Sequence, residues 1–438
     1  MSAKTFWIFI ALFSAAVFSW CVYRDVQIEK QFTNDLRNRI VGSRLQKDGK
    51  LPYFYKWRPG DGTRYYDENN SQSFATLKTT SITATPFFHD LLYPIADLPG
   101  RTISYIWSVI EYLTMVASVV IAFFFAKSNI QQWSVLIAAA LFLFTEAWVM
   151  HIANGQMYIL VPFLCFLFCY FVCHKNNSMF AFLAGLCTVV LVLIRPNAIV
   201  FFLPFLAVIK NYNLRFFAFF VAPIVLVIGL IMINKQERSY WINFSEQLNE
   251  QVKLHQDMHP TKQKNYPDPK FESYEGWSEK KIAEDYKKFP YDPHSENGNV
   301  FVALRDILHI KVPVWLLSVL SFSSIIIVFI FFQSYRKKNG GYGLPNLAVI
   351  GFCLYMITDL FSPFFRGQYY AVQWLFPLLI VAAYMEKEDW WVCVLAVVAL
   401  LLSIINTDLI KMEHSIGEYL FLVTFILFAL KRKINPVI

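Results

Sequence analysis

Apolar runs of near-helical-span length alternate along the chain with two extended polar stretches. A helix that crosses a bilayer needs about 20 mostly apolar residues, and about twelve runs meet or approach that length. They lie at residues 5–23, 104–126, 134–151, 157–173, 179–194, 197–210, 215–233, 311–332, 344–361, 369–385, 390–406 and 417–430. The two shortest, 179–194 and 197–210, are separated only by Arg195-Pro196, where proline ends or kinks a helix. The first run follows Lys4 and contains Ser14-Ala15-Ala16, as a secretory signal would, but its apolar residues continue through Val22. It reads as an uncleaved first helix.

Polar residues concentrate at 24–103 and 234–310. The pattern therefore predicts an all-α polytopic membrane protein in three parts. A membrane module over 1–233 includes the first polar segment, a cap covers 234–310, and further spans occupy 311–438. Each polar segment exceeds the length at which structureless loops are common, so each is expected to fold against the membrane face. Thr85 to Pro99 mixes aromatics with two acids between prolines, which suits an interfacial helix or turn. The second segment carries Lys, Glu and five prolines, Pro260, Pro267, Pro269, Pro290 and Pro293.

Composition narrows the class. Apolar residues make up 56% and charged residues 16%, against roughly 45–50% and about 25% in soluble domains. That balance excludes a disordered chain, a nucleic-acid-binding arm and a disulfide-stapled secreted domain. The net charge of +8 says less than its placement. With the N-terminus inside, the inner connections carry Lys4, Lys127, Lys175, Lys210, Arg215, Arg336, Lys337, Lys338, Lys387, Lys431, Arg432 and Lys433, and the short outer ones only Arg195, Arg366 and Lys411. The bias places both termini in the cytoplasm and both polar segments on the outer face. All seven cysteines fall in apolar runs. Cys165, Cys169 and Cys173 share one helix face without His or carboxylate company, so they read as packing and no metal is expected. Neither a phosphate-binding loop nor an internal repeat is present, which argues against nucleotide-driven transport.

Candidate chemistry gathers where polar residues meet the ends of runs. Asp35, in Asn34-Asp35-Leu36-Arg37-Asn38-Arg39, is either a general base whose position raises its pKa or a solvated acid paired with Arg39 at i+4. Arg195 interrupts apolar sequence and either contacts an anion or snorkels to headgroups. Phe361 to Tyr370 repeats the theme with Arg366, Gln368 and Tyr369. Two arginines on one face would neutralise a phosphate leaving group. Asn154-Gly155-Gln156 is a tight turn whose amides, with Asn197, suit sugar hydroxyls or phosphate oxygens. His89 is a candidate phosphate ligand or a structural histidine, and Glu111 and Glu146 are intramembrane acids.

The order of these pieces resembles a known family. A first helix followed by an outer Asp, then Tyr93-Pro94-Ile95-Ala96-Asp97-Leu98-Pro99 leading to Trp107, then Asn154-Gly155-Gln156, is similar to bacterial polytopic glycosyltransferases of family 87. Ala184-Gly185-Leu186 before Arg195-Pro196, and Phe361-Ser362-Pro363, extend the likeness over roughly residues 1–385. The resemblance implies the GT-C glycosyltransferase fold in a bacterial plasma membrane. It also implies transfer of mannose or another sugar from a polyprenyl-phosphate donor to a glycan or glycolipid acceptor on the outer face, by inverting displacement without a cofactor. Asp35 matches the family's outer acid and would be the base, and Arg195 matches the basic residue before proline. Where family members often carry Trp and a His pair after Ser-Pro, this chain has Phe365, Arg366, Gln368 and Tyr369, so Arg366 is expected to meet the donor phosphate.

Three other readings compete, the blandest being a non-catalytic membrane scaffold. A lipid or sugar flippase should show related halves and charged sites near the midplane. A polysaccharide polymerase or ligase with a pyrophosphate-linked donor should carry His and Arg in a late outer loop, and 234–310 holds His255, His259, His294, Arg238 and Arg305.

Overall fold

A computed structural model describes residues 3–28, 34–55, 61, 63–65, 82–174, 177–206, 213–257, 299–300, 304, 312–338, 341, 343–363, 366–404 and 413–431. Among these residues there are helices and turns and no strand. In chain order the helices are α1 (Ala3–Ile28), α2 (Asn34–Lys47), α3 (Pro86–Leu92), α4 (Gly100–Phe125), α5 (Asn129–Phe142), α6 (Glu146–Ala153), α7 (Leu160–Val172), α8 (Ser178–Ile194), α9 (Leu203–Leu206), α10 (Leu214–Ile233), α11 (Lys235–Asp257), α12 (Val314–Lys338), α13 (Leu344–Leu360), α14 (Leu375–Tyr384), α15 (Trp390–Ile404) and α16 (Glu413–Lys431).

Helix, in places tightened to 3-10, covers each predicted run in whole or in part. Three of the described helices, α4, α10 and α12, are long and apolar enough to cross a membrane on length and composition alone. The pair α5 and α6, bent by 59°, makes a fourth if taken as one span. Several other runs form shorter apolar helices. After α8 the chain tightens into a 3-10 segment, Pro196–Phe202, opened by proline. A second 3-10 segment, Gln368–Trp374, precedes α14.

Local caps set several starts. Thr85 accepts from the Phe88 amide ahead of Pro86, Thr145 caps α6, and Ser128 with Gln131 forms a reciprocal capping box on α5. The most enclosed helix is α13, buried along almost its whole length, with α14 beside it. Gly185 lets α8 meet α10 at backbone distance, since a Cβ there would lie 2.1 Å from the Phe220 carbonyl oxygen. By contrast, α10 and α12 expose Leu214, Val225, Leu226, Trp315, Phe322 and Ile327. An apolar face of that extent suits hydrocarbon.

The two polar segments meet. Val41, Leu45, Tyr53 and Ile82 pack with Tyr240 and Phe244 of α11. Gln247 ties them further, accepting from the Phe54 amide at 2.7 Å and donating to the Ile82 carbonyl. The start of the expected cap is thus one helix laid on the first polar segment. Most of its remainder, including the proline-rich stretch and the histidines at 259 and 294, lies outside the described residues.

Candidate functional site

The connections after α6, α8 and α13 converge, together with the start of α2, into one polar cluster. Asp35 stands in the first turn of α2, partly exposed. The side-chain amide Nε2 of Gln156 donates to Asp35 Oδ2. Arg39 does not bond Asp35 as the i+4 spacing suggests. Its guanidinium instead donates to the Gly155 carbonyl at 3.0 Å and to Gln156 Oε1 at 2.5 Å. With its oxygen taken by Arg39, the Gln156 amide turns its nitrogen toward Asp35. Burial lifts the Asp35 carboxyl above the usual carboxylate range, against the opposing pull of the Arg39 charge and the Gln156 hydrogen bond. A carboxylate so placed is a stronger proton acceptor than an ordinary surface acid.

The turn that carries Gln156 depends on Gly155, at φ 57°, where a side chain would be strained. Trp107 Nε1 donates to the Gln156 carbonyl at 3.1 Å. Asp25, the other acid near the end of α1, is a different kind of group. It is buried and accepts from Tyr112, from Trp148 at 3.0 Å and from Arg24 at 2.7 Å. A carboxylate with three donors is held as an anchor, whereas Asp35 accepts from Gln156.

At the other end of the cluster lies Arg195, its side chain 18% exposed. Its Nη2 contacts Asp359 Oδ1 at 2.5 Å and its Nε donates to the Tyr355 hydroxyl at 3.3 Å, which leaves Nη1 outside these contacts. The cation also lies over the rings of Tyr158 and Tyr370, at 4.8 and 5.0 Å. Arg366 is arranged otherwise. Its Nε contacts Asp359 Oδ2 at 2.9 Å, and both terminal nitrogens grip the carboxylate of Glu418. Trp374 Nε1 donates to the same carboxylate at 2.7 Å. Arg366 is buried with each of its three guanidinium nitrogens bonded to a carboxylate, so it is not placed to receive the donor phosphate as the sequence suggested. It holds Asp359, which in turn holds Arg195.

Three tyrosines connect the two ends. Tyr369 stacks on Tyr158 at 5.8 Å and on Tyr370 at 5.1 Å, and Tyr158 meets Tyr370 at 4.1 Å. Tyr369 is within electrostatic reach of Asp35 and Arg39, and Tyr158 of Arg195 and Arg39. Acid, amide, tyrosines and cation therefore form one contiguous set from residues far apart in sequence.

The remaining candidates divide. His89 is fully buried, with its Nε2 only 2.4 Å from where a Cβ on Gly42 would sit and its ring beside Tyr53. Neither ring nitrogen has a hydrogen-bond partner among the described residues. Burial and the nearby Arg39 charge push its pKa down to about 3. A neutral, enclosed imidazole is packing, and the expected phosphate contact does not fit it. Asn154 bonds its own helix at the Met150 carbonyl, 2.8 Å away, and Asn197 donates to Thr358 at 2.9 Å, joining the 3-10 segment to α13. Gln368 is buried beside the tyrosines. Cys165 and Cys169 are buried in the core while Cys173 is exposed, and all seven thiols are free. Sequence reasoning marks Glu111 as an intramembrane acid but not its neighbour His151, and it misses Asp359, Glu418 and Tyr158. An acid inside or next to an apolar run was the available signal for Asp359 and Glu418 as it was for Glu111.

These features define a helical, membrane-type protein with a carboxylate and an arginine at opposite ends of one polar site. The model of glycosyltransferase family 87 matches residues 83–265, and the match supports membership of the chain in that family. The matched stretch contains Glu111, His151, Gln156 and Arg195, while Asp35 and Arg366 lie outside it. No curated protein and no solved structure matches the chain. The family implies a membrane glycosyltransferase.

Proposed function

We propose that this membrane glycosyltransferase transfers a sugar from a polyprenyl-phosphate donor to a hydroxyl of a glycan or glycolipid acceptor on the outer face of a bacterial plasma membrane. The observation that carries the reading is the joining of Asp35 and Arg195 through Gln156, Arg39 and the three tyrosines. A displacement at an anomeric carbon needs a proton acceptor on one side and charge stabilisation for the departing phosphate on the other.

In this reading Asp35 takes the proton of the acceptor hydroxyl as its oxygen bonds to the anomeric carbon. The bond from that carbon to the donor phosphate oxygen breaks, and the electron pair leaves with polyprenyl phosphate. Arg195, held by Asp359, Tyr355 and two aromatic faces, meets the growing negative charge through its remaining donor. Arg366 and Glu418 keep Asp359 in place and do not touch the donor. Attack from the side opposite the leaving group inverts the anomeric configuration. The apolar faces of α10 and α12 suit a lipid-borne donor confined to the bilayer.

The test is reconstitution in proteoliposomes with a panel of radiolabelled polyprenyl-phosphate hexoses and pentoses and membrane glycolipid extract. Release of polyprenyl phosphate with labelled glycolipid supports the reading. Turnover only with pyrophosphate-linked donors, or movement of lipid without bond cleavage, overturns it.

A further inference from the structure

Beneath the turn that presents Gln156 lies a fully buried pair that the transfer scheme does not use. His151 Nδ1 and Glu111 Oε1 are 3.1 Å apart, both side chains 0% exposed. We propose that Glu111 and His151 are positioning residues for transfer, holding the turn 154–159 so that Gln156 keeps its hydrogen bond to Asp35. This rests on Asp35 being the base.

The geometry fixes the histidine's role. Its Nε2 accepts from the backbone amide of Ile159 at 3.2 Å, so that nitrogen carries no proton. The proton of the neutral ring then sits on Nδ1 and faces Glu111. The backbone carbonyl of His151 accepts from the Gln156 amide at 3.0 Å. One residue therefore secures both sides of the turn, and the Glu111 carboxyl, 3.1 Å from Nδ1, lies on the side that carries the proton in this tautomer. The ring is itself located by stacking on Trp148 at 6.1 Å, and Trp148 is fastened to Asp25. From the far side Arg39 and Trp107 hold the carbonyls of Gly155 and Gln156. With the backbone clamped above and below, the Gln156 side chain has a fixed origin from which to reach Asp35.

The consequence is a readout distinct from stability. The groups that act on Asp35 are Arg39 on its own helix, Gln156 on the turn and Tyr369 on the 3-10 segment. Of these, Gln156 is carried on the turn that His151 holds, while Arg39 and Tyr369 touch that turn from their own elements, at Gly155 and Tyr158. Losing a hydrogen bond to the charged form of a carboxylate raises its pKa, by about one pH unit for a bond to a charged group.

The test is a pH titration of the Asp35 carboxyl by infrared spectroscopy on the full chain in nanodiscs, the band being assigned by its loss in Asp35→Asn. Gln156→Leu, His151→Leu and Glu111→Leu are each expected to move that titration upward by about one pH unit. The double variant His151→Leu with Gln156→Leu should move it no further than Gln156→Leu alone. His151→Gln, which keeps an acceptor for the Ile159 amide and is the variant to use if the leucine forms fail to fold, should restore the wild-type value in large part. An unchanged titration in folded His151→Leu and Glu111→Leu, or additive shifts in the double variant, overturns the proposal. Transfer assays run alongside separate the two claims. If Asp35→Asn transfers sugar at the wild-type rate, the base assignment fails whatever the titration shows.

Discussion

Gln156 hydrogen-bonds Asp35 across 121 positions of sequence. The same amide receives Arg39 at its oxygen, so one side chain links the acid at the start of α2 to the cation a turn later. That arrangement governs when Asp35 is ionised, and it yields the first prediction. Removing the amide in Gln156→Leu withdraws a hydrogen bond from the charged carboxylate, so the Asp35 pKa rises further. The acidic limb of the pH profile of kcat/KM should move to higher pH, with the lost rate recovered toward alkaline pH. A rate deficit of equal size at every pH would contradict it.

Of the two arginines, Arg195 is the one with a terminal nitrogen, Nη1, outside its carboxylate and hydroxyl contacts. Arg195→Ala removes a charge-assisted contact of about 1.5–3 kcal/mol. The expected result is a rise of roughly 10- to 100-fold in donor KM, with Arg195→Lys recovering part of it because a point charge lacks the fork geometry. Titration of donor concentration in proteoliposomes measures both. Equal donor KM in wild type and Arg195→Ala would remove Arg195 from the donor site.

Arg366 is predicted to act on stability first. Breaking a buried ion pair by removing one partner costs about 3–5 kcal/mol, because the other charge is left uncompensated. Arg366→Met should therefore lower the melting temperature sharply in detergent. Glu418→Leu added to it should recover part of the loss, since Glu418 is then no longer stranded. A wild-type melting temperature in Arg366→Met would show that the Glu418 and Asp359 contacts hold nothing.

The apolar runs, the turn at 154–156 and the interruption at Arg195 were legible in the sequence because each is a local signal. Asp35 and Gln156 each carry a local signal, for separate reasons, and neither signal reports their contact across the fold. The partners that decide the roles of the arginines were hidden by distance. Asp359 is 164 positions from Arg195, and Glu418 is 52 from Arg366. His89 misled for the opposite reason. Its residue type suits phosphate, but the absence of a side chain at Gly42, which no spacing rule reports, lets the ring sink into the space beside α2.

His89 also carries a pH prediction. Its folded pKa is depressed to about 3, whereas the unfolded chain protonates near the ordinary histidine value of about 6.5. Between those values the unfolded state binds the extra proton, so stability falls as pH is lowered through that window, at up to about 1.4 kcal/mol per pH unit. His89→Phe should flatten this part of the pH dependence of the melting temperature. An unaltered slope would show that His89 titrates normally in the folded chain.

The central claim is that Asp35 is the base of a polyprenyl-phosphate-dependent sugar transfer. The most direct measurement compares wild type with Asp35→Asn in proteoliposomes supplied with the labelled donor that wild type turns over, reading both labelled glycolipid and donor binding. A positioned general base contributes about 10²- to 10⁴-fold, so transfer by Asp35→Asn should fall by that factor while donor affinity stays near wild type. Undiminished transfer by Asp35→Asn would contradict the account.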